Sequence, residues 1–123
     1  MYLKLEDLEV YKLATKISDI GWKIYQEFDW RIKKIIGDQF IESVDSVGAN
    51  IAEGYGRFHY LDKIKFYYNA GGSLLEAKHW LNLLLERRLV DNGRNIGDLN
   101  DKFDKMNFKL NRFIGATFKA KNS

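Results

Sequence analysis

The absence of proline over 123 residues constrains this chain more than any other feature. Proline breaks helix interiors by removing a backbone donor and clashing with the preceding turn, so a chain without it is easiest to reconcile with long helices. The apolar pattern agrees. Val10, Leu13, Ala14, Ile17, Ile20, Gly21, Ile24 and Phe28 recur at three- and four-residue steps and form one stripe. Asp29 stands where an N-cap would open a second helix through Ile32, Ile36, Phe40, Val44, Val47 and Ile51, ended by Gly54 and Gly56. A third helix is predicted from about Tyr60 to Arg88, with Ile64, Phe66, Tyr67, Ala70, Leu74, Ala77, Leu81, Leu84 and Leu85 turned inward. Asp91-Asn92-Gly93 reads as a turn, and a fourth helix starts near Ile96, carries Leu99, Phe103, Met106, Leu110, Phe113 and Ile114, and frays after Phe118. No segment alternates strictly, so no sheet is expected. Four long stripes with short connections predict an all-α fold, an antiparallel up-down-up-down four-helix bundle, as a single domain over residues 1–123.

Composition narrows the function. At 46% hydrophobic residues the chain is globular rather than disordered. Cysteine is absent, which removes disulfides, thiolate nucleophiles and Cys-based metal sites. The N-terminus shows no basic stretch followed by an apolar core, so no signal peptide is expected and a cytoplasmic location is. Only His59 and His79 are available as imidazole bases, no nucleophile sits in an activated setting, and Gly54-Tyr55-Gly56 lacks the lysine of a phosphate loop. The chain is expected not to be an enzyme and to carry no cofactor. Glu76-Ala77-Lys78-His79 matches the ligand unit of di-iron bundles, but such sites need the unit twice, and a surface His79 is preferred.

The segment from Ser46 to Arg57 concentrates small residues around Asn50 and Glu53, with Gly71-Gly72-Ser73 and Glu76 on the next helix. The preferred reading is structural. Glu53 and Arg57 pair at (i, i+4), while Asn50, Glu53, Ser73 and Glu76 form a polar network tying helices two and three, which approach closely through the glycines. A binding site is the alternative. The basic residues are more suggestive: Lys102, Lys105, Lys109 and Arg112 repeat the spacing of the buried residues displaced by one position, so they lie beside the buried seam. After Asp104 no acid occurs. Such a stripe suits phosphates, with Arg57 and Lys63 as helpers; a solvated flank is the competing reading. Aromatics including Trp22, Trp30, Phe58, Tyr68 and Trp80 exceed what a small core holds, which suggests a subunit interface or, less readily, base stacking.

Gln39, the run Ser46-Val47, Ala49-Asn50-Ile51-Ala52-Glu53-Gly54, Gly56-Arg57, then Phe66, Ala70, Gly72-Ser73-Leu74 and Glu76 together resemble the four helix bundle proteins of the intervening-sequence type. These are small bacterial proteins named for reading frames within insertions in large-subunit ribosomal RNA genes. The resemblance runs from about Leu8 to Ile114. It implies a ring-shaped homopentamer and kinship with the accessory protein of diversity-generating retroelements, which binds nucleic acid and a reverse transcriptase. Gly48 replaces the proline usual in the family, Phe40-Ile41-Glu42-Ser43 and Asp45 replace its usual bases, and His59 replaces its usual Ser or Thr cap. The expectation is a homo-oligomer, a pentamer, that binds structured RNA through Lys102, Lys105, Lys109, Arg112, Arg57 and Lys63. The alternative is a protein-interaction scaffold recruiting an enzyme such as a reverse transcriptase.

Overall fold

A computed structural model describes residues 3–122. After a 3-10 turn at Leu5–Asp7 come four helices: α1 (Glu9–Gln26), α2, α3 (Tyr60–Glu86) and α4 (Arg94–Asn122). Helix α2 is continuous but composite, made of Trp30–Ile32, a π-helical turn Lys33–Gly37, and Asp38–Tyr55. No strand occurs among the described residues. Helix α1 packs on α2 and α4, and α3 packs on α2 and α4, so each helix has two neighbours around one core.

The local chemistry explains the boundaries. Asp29 caps α2, its Oδ1 accepting from the Ile32 N–H at 3.0 Å. The π turn follows from the sequence rhythm. Ile32, Ile36, Phe40 and Val44 succeed one another at four-residue steps, and each step would rotate an α-helical stripe by about 40°. A π turn holds more residues per turn and takes up that drift. Ile36, Phe40 and Val44 are all buried as a result. At the end of α3, Leu89 N–H bonds to Leu84 O at 2.9 Å and Arg88 N–H to Leu85 O at 3.1 Å. This reversal needs a left-handed residue, and Arg88 takes that place with φ 56° where glycine is usual. His59 precedes α3 without a side-chain cap bond. Helix α4 departs from expectation at both ends, starting at Arg94 and continuing through Phe118 to Asn122.

The glycines also depart from expectation. A Cβ on Gly71 would find only Leu110 Cδ2 at 3.8 Å, and one on Gly72 would meet nothing within 4 Å. The α2–α3 contact depends instead on Gly54, where an added Cβ would stand 2.6 Å from Tyr67 Cε1 and 3.0 Å from the Lys63 carbonyl. Gly21 plays the same part between α1 and α2, with Val44 Cγ1 at 2.8 Å from an added Cβ. Gly37 does so inside the π turn, against Phe28 Cδ2 at 2.7 Å.

The polar groups expected between α2 and α3 arrange themselves around Ser46. Asn50 Nδ2 donates back to Ser46 O at 2.9 Å and Ser46 Oγ at 3.2 Å, and Ser73 Oγ donates to Ser46 Oγ at 3.1 Å. Of this polar set, Ser46–Ser73 is the bond that crosses between the helices. Glu76 instead accepts from Trp80 Nε1 on its own helix at 3.2 Å, and Glu53 lies in solvent, paired with Arg57 at 3.1 Å.

Gly54→Ala should destabilise the protein by about 1–2 kcal/mol despite better helix propensity, because overpacking a rigid buried ring outweighs the gain. Gly97→Ala, with nothing within 4 Å of its added Cβ, should stabilise by up to about 1 kcal/mol; urea denaturation of both variants checks the contrast. Burial, then the neighbouring Tyr55, pushes the Tyr67 phenol from 10.0 up to about 12. A raised acid favours the folded state below its unfolded value, so that stabilisation should be intact to pH 10 and lost as pH rises toward 12. Thermal melts across this range should show the loss, and Tyr67→Phe should remove it.

Candidate nucleic-acid interface

Helix α4 buries Phe103, Met106 and Leu110. Lys102, Lys105 and Lys109 each precede one of these residues, and Arg112 precedes the half-buried Phe113, so all four bases fall on one flank. The direction of that flank is set by Lys109, whose Nζ reaches Glu9 Oε2 of α1 at 3.1 Å. The stripe therefore runs along the α1–α4 seam.

Helix α1 contributes more than the sequence reading anticipated. Glu9, Lys12, Lys16 and Lys23 each precede a buried residue, namely Val10, Leu13, Ile17 and Ile24. They share the flank that faces the α4 stripe. The one-residue displacement that marked the α4 bases was present in α1 as well and could have located them. The seam thus carries Lys12, Lys16, Lys23, Lys102, Lys105, Lys109 and Arg112 against Glu9, Asp19, Asp98 and Asp101.

The electrostatics differ from base to base. Lys102 Nζ bonds Asp98 Oδ1 at 2.7 Å, one turn back on its own helix. The hydrogen bond from Lys109 is the largest cause holding the Glu9 carboxyl below 4.5, followed by the charge of Lys109; desolvation opposes them, and the charges of Lys105 and Lys12 add smaller effects. One carboxylate thus lies in the field of three ammonium groups. Among the described residues Lys105 makes no ion pair, and the Arg112 guanidinium lies 5.6 Å from the centre of the Phe108 ring with no carboxylate partner.

Arg57 and Lys63 are placed elsewhere. Arg57 pairs with Glu53 and lies 4.7 Å from the Phe66 ring centre, at the junction of α2 and α3. Lys63 Nζ donates to the Tyr55 carbonyl at 2.8 Å, and burial lowers its pKa. Because α1 and α4 border each other, as do α2 and α3, these two bases lie across the bundle from the stripe and do not extend it. Among the described residues, no group of three or more His, Asp or Glu converges in a way that would hold a metal ion, and His79 is exposed beside Trp80. No helix among them is long and apolar enough to cross a membrane.

Four helices around one core define a class of small all-helical proteins, and comparison with known proteins identifies which. Residues 6–112 match the 23S rRNA-intervening sequence proteins, and the chain belongs to that family. Among solved structures, it is similar to a protein of unknown function from the S23 ribosomal protein family of Bacteroides thetaiotaomicron VPI-5482. The TM-score is 0.75 at 19% identity, over 85% of this chain and 96% of that one, a likeness of fold. No curated protein matches the chain.

The lowered Glu9 pKa carries a testable sign. Its contribution to stability should be present above 4.5 and lost as pH falls through the lowered folded value. An NMR titration of the Glu9 side chain should find it ionised below the ordinary range, and Lys109→Met should bring it back toward 4.5.

Proposed function

We propose that this protein is a non-enzymatic, cytoplasmic homo-oligomer, a pentamer as the family resemblance implies, that binds structured RNA through phosphate contacts along the α1–α4 seam. The observation that carries the reading is the run of Lys102, Lys105, Lys109 and Arg112 along one flank of α4, set against α1 by the Lys109–Glu9 ion pair at 3.1 Å. Beyond it, α4 continues through Arg112, Lys119 and Lys121 without another acid. Bases spaced one helical turn apart on two adjacent helices track a phosphate backbone without reading bases. Membership in a family named for an insertion in 23S rRNA supports RNA as the polyanion. A second reading, a scaffold that recruits an enzyme such as a reverse transcriptase, draws on the exposed apolar side chains Tyr68 and Leu75. A protein partner retained after nuclease treatment would favour it.

The test is fluorescence anisotropy with a structured RNA of mixed sequence at several salt concentrations. Binding should weaken steeply with salt, by about 0.7–0.9 in log-log slope for each phosphate neutralised. Lys105→Glu with Lys109→Glu should lower affinity at least about tenfold, with an unchanged circular dichroism spectrum. Absence of binding at micromolar protein in low salt would overturn the proposal. Arg57→Ala should change affinity little, since Arg57 lies across the bundle.

A further inference from the structure

A cavity of about 500 Å³ opens at one end of the bundle, where the loop between α2 and α3 meets the last turns of α4. It is lined by His59, Tyr60, Leu61 and Asp62, at the start of α3, and by Lys121 of α4. Helical spacing accounts for Lys121. It stands seven residues after Ile114, the last buried residue of α4, and so projects from the inward side of that helix just past the core. The lining thus combines two aromatic rings, an apolar side chain, one carboxylate and one ammonium group. Among the described residues neither Asp62 nor Lys121 enters an ion pair. Tyr60 and Leu61 are 43% and 60% exposed, and Phe58, just before the cavity, is 89% exposed with its ring edge-on to His59 at 5.2 Å. The other bases close in sequence are already engaged, Arg57 with Glu53 and Lys63 with the Tyr55 carbonyl.

We propose that this cavity takes one unpaired nucleotide of the RNA held along the α1–α4 seam. It rests on the RNA-binding reading and extends it from phosphates to a nucleobase. Each lining residue matches a part of a nucleotide. The rings of His59 and Tyr60, with Leu61, offer faces on which a nucleobase stacks. An ionised Asp62 only accepts hydrogen bonds, so it suits an edge that donates. Guanine presents two donors side by side, N1–H and the 2-amino group, to the two carboxylate oxygens. Uracil presents N3–H alone, between two carbonyls that repel a carboxylate. Lys121 supplies the charge that a phosphate needs. Asp62 would repel a bare phosphate backbone, and a donating nucleobase edge is what offsets that repulsion. In a duplex such faces and edges are occupied by stacking and pairing, so the unpaired nucleotide is the form that fits. The seam leads to this end of the bundle. Lys105, Arg112 and Lys119 stand at seven-residue steps on one side of α4, a line of basic residues running from the seam to the turn that carries Lys121.

Fluorescence anisotropy with three RNAs tests the proposal: a blunt duplex, the same duplex forked at one end into short uridine arms, and that fork with one guanosine in each arm. The guanosine fork should bind about tenfold more tightly than the blunt duplex, and several-fold more tightly than the uridine fork. Asp62→Asn, whose amide pairs with either nucleobase, should remove the preference for guanosine. Tyr60→Ala should bring both forks down toward the blunt duplex. Both variants should bind the blunt duplex like the parent and keep its circular dichroism spectrum, whereas a purely structural role for either residue would move the blunt duplex as well. Equal binding of blunt and forked duplexes would overturn the proposal and leave phosphate contacts along the seam standing. Absence of binding to all three would overturn the RNA reading itself and this site with it. A guanosine preference unchanged in both variants would place the nucleotide elsewhere and overturn the assignment of the cavity. Equilibrium dialysis with micromolar GMP decides the source of the nucleotide. GMP should not be retained; Asp62-dependent retention with no gain from the forks would give the cavity to a free nucleotide and overturn its role in holding RNA.

Discussion

The closeness of α2 to both its neighbours governs this bundle. Gly21 on α1 lets Val44 approach, Gly54 on α2 admits the Tyr67 ring, and Gly37 admits Phe28 within the π turn. At each place a methyl group would fall inside the distance that real side chains tolerate. These contacts set the rotation of α2, and that rotation decides which residues of α1 and α3 face inward. The other elements follow. With α1 turned so that Ala14 and Ile17 are buried, Glu9 and Lys12 face α4, and the seam acquires its charge.

Polar chemistry is spread around the bundle rather than gathered at one place. Across from the α1–α4 bases, Ser46 and Ser73 join α2 to α3, and the Glu53–Arg57 pair stays at the surface. Among the described residues no buried side-chain polar atom lacks a partner.

Much of the fold was legible in the residues because burial leaves a periodic trace. The stripes of α1 and α4 and the Asp29 cap could be read directly, since one turn of helix is enough to define each. The π turn was visible only as an unbroken series of four-residue steps from Ile32 to Val44, a rhythm open to more than one helical remedy. Glycine function was not legible. Gly71 and Gly72 look like a contact and Gly54 like a terminator, yet the roles differ because a glycine's purpose is defined by atoms far away in sequence. For the same reason the basic seam was half read. The α4 bases stand together in sequence, whereas Lys12 joins them only across the interface between the first and last helices.

That interface has a temporal meaning. Glu9 and Lys109 are separated by 100 positions, so their meeting closes nearly the whole chain into one loop. Contacts between α2 and α3, by contrast, join residues such as Ser46 and Ser73 that are 27 apart. Local pairs form early and long closures late. On a ribosome, three helices can be complete while the last is still being made, and in that interval the α1 bases stand without those of α4. The α1–α4 seam forms only when α4 docks, so an unfinished product lacks the juxtaposition of the α1 and α4 bases.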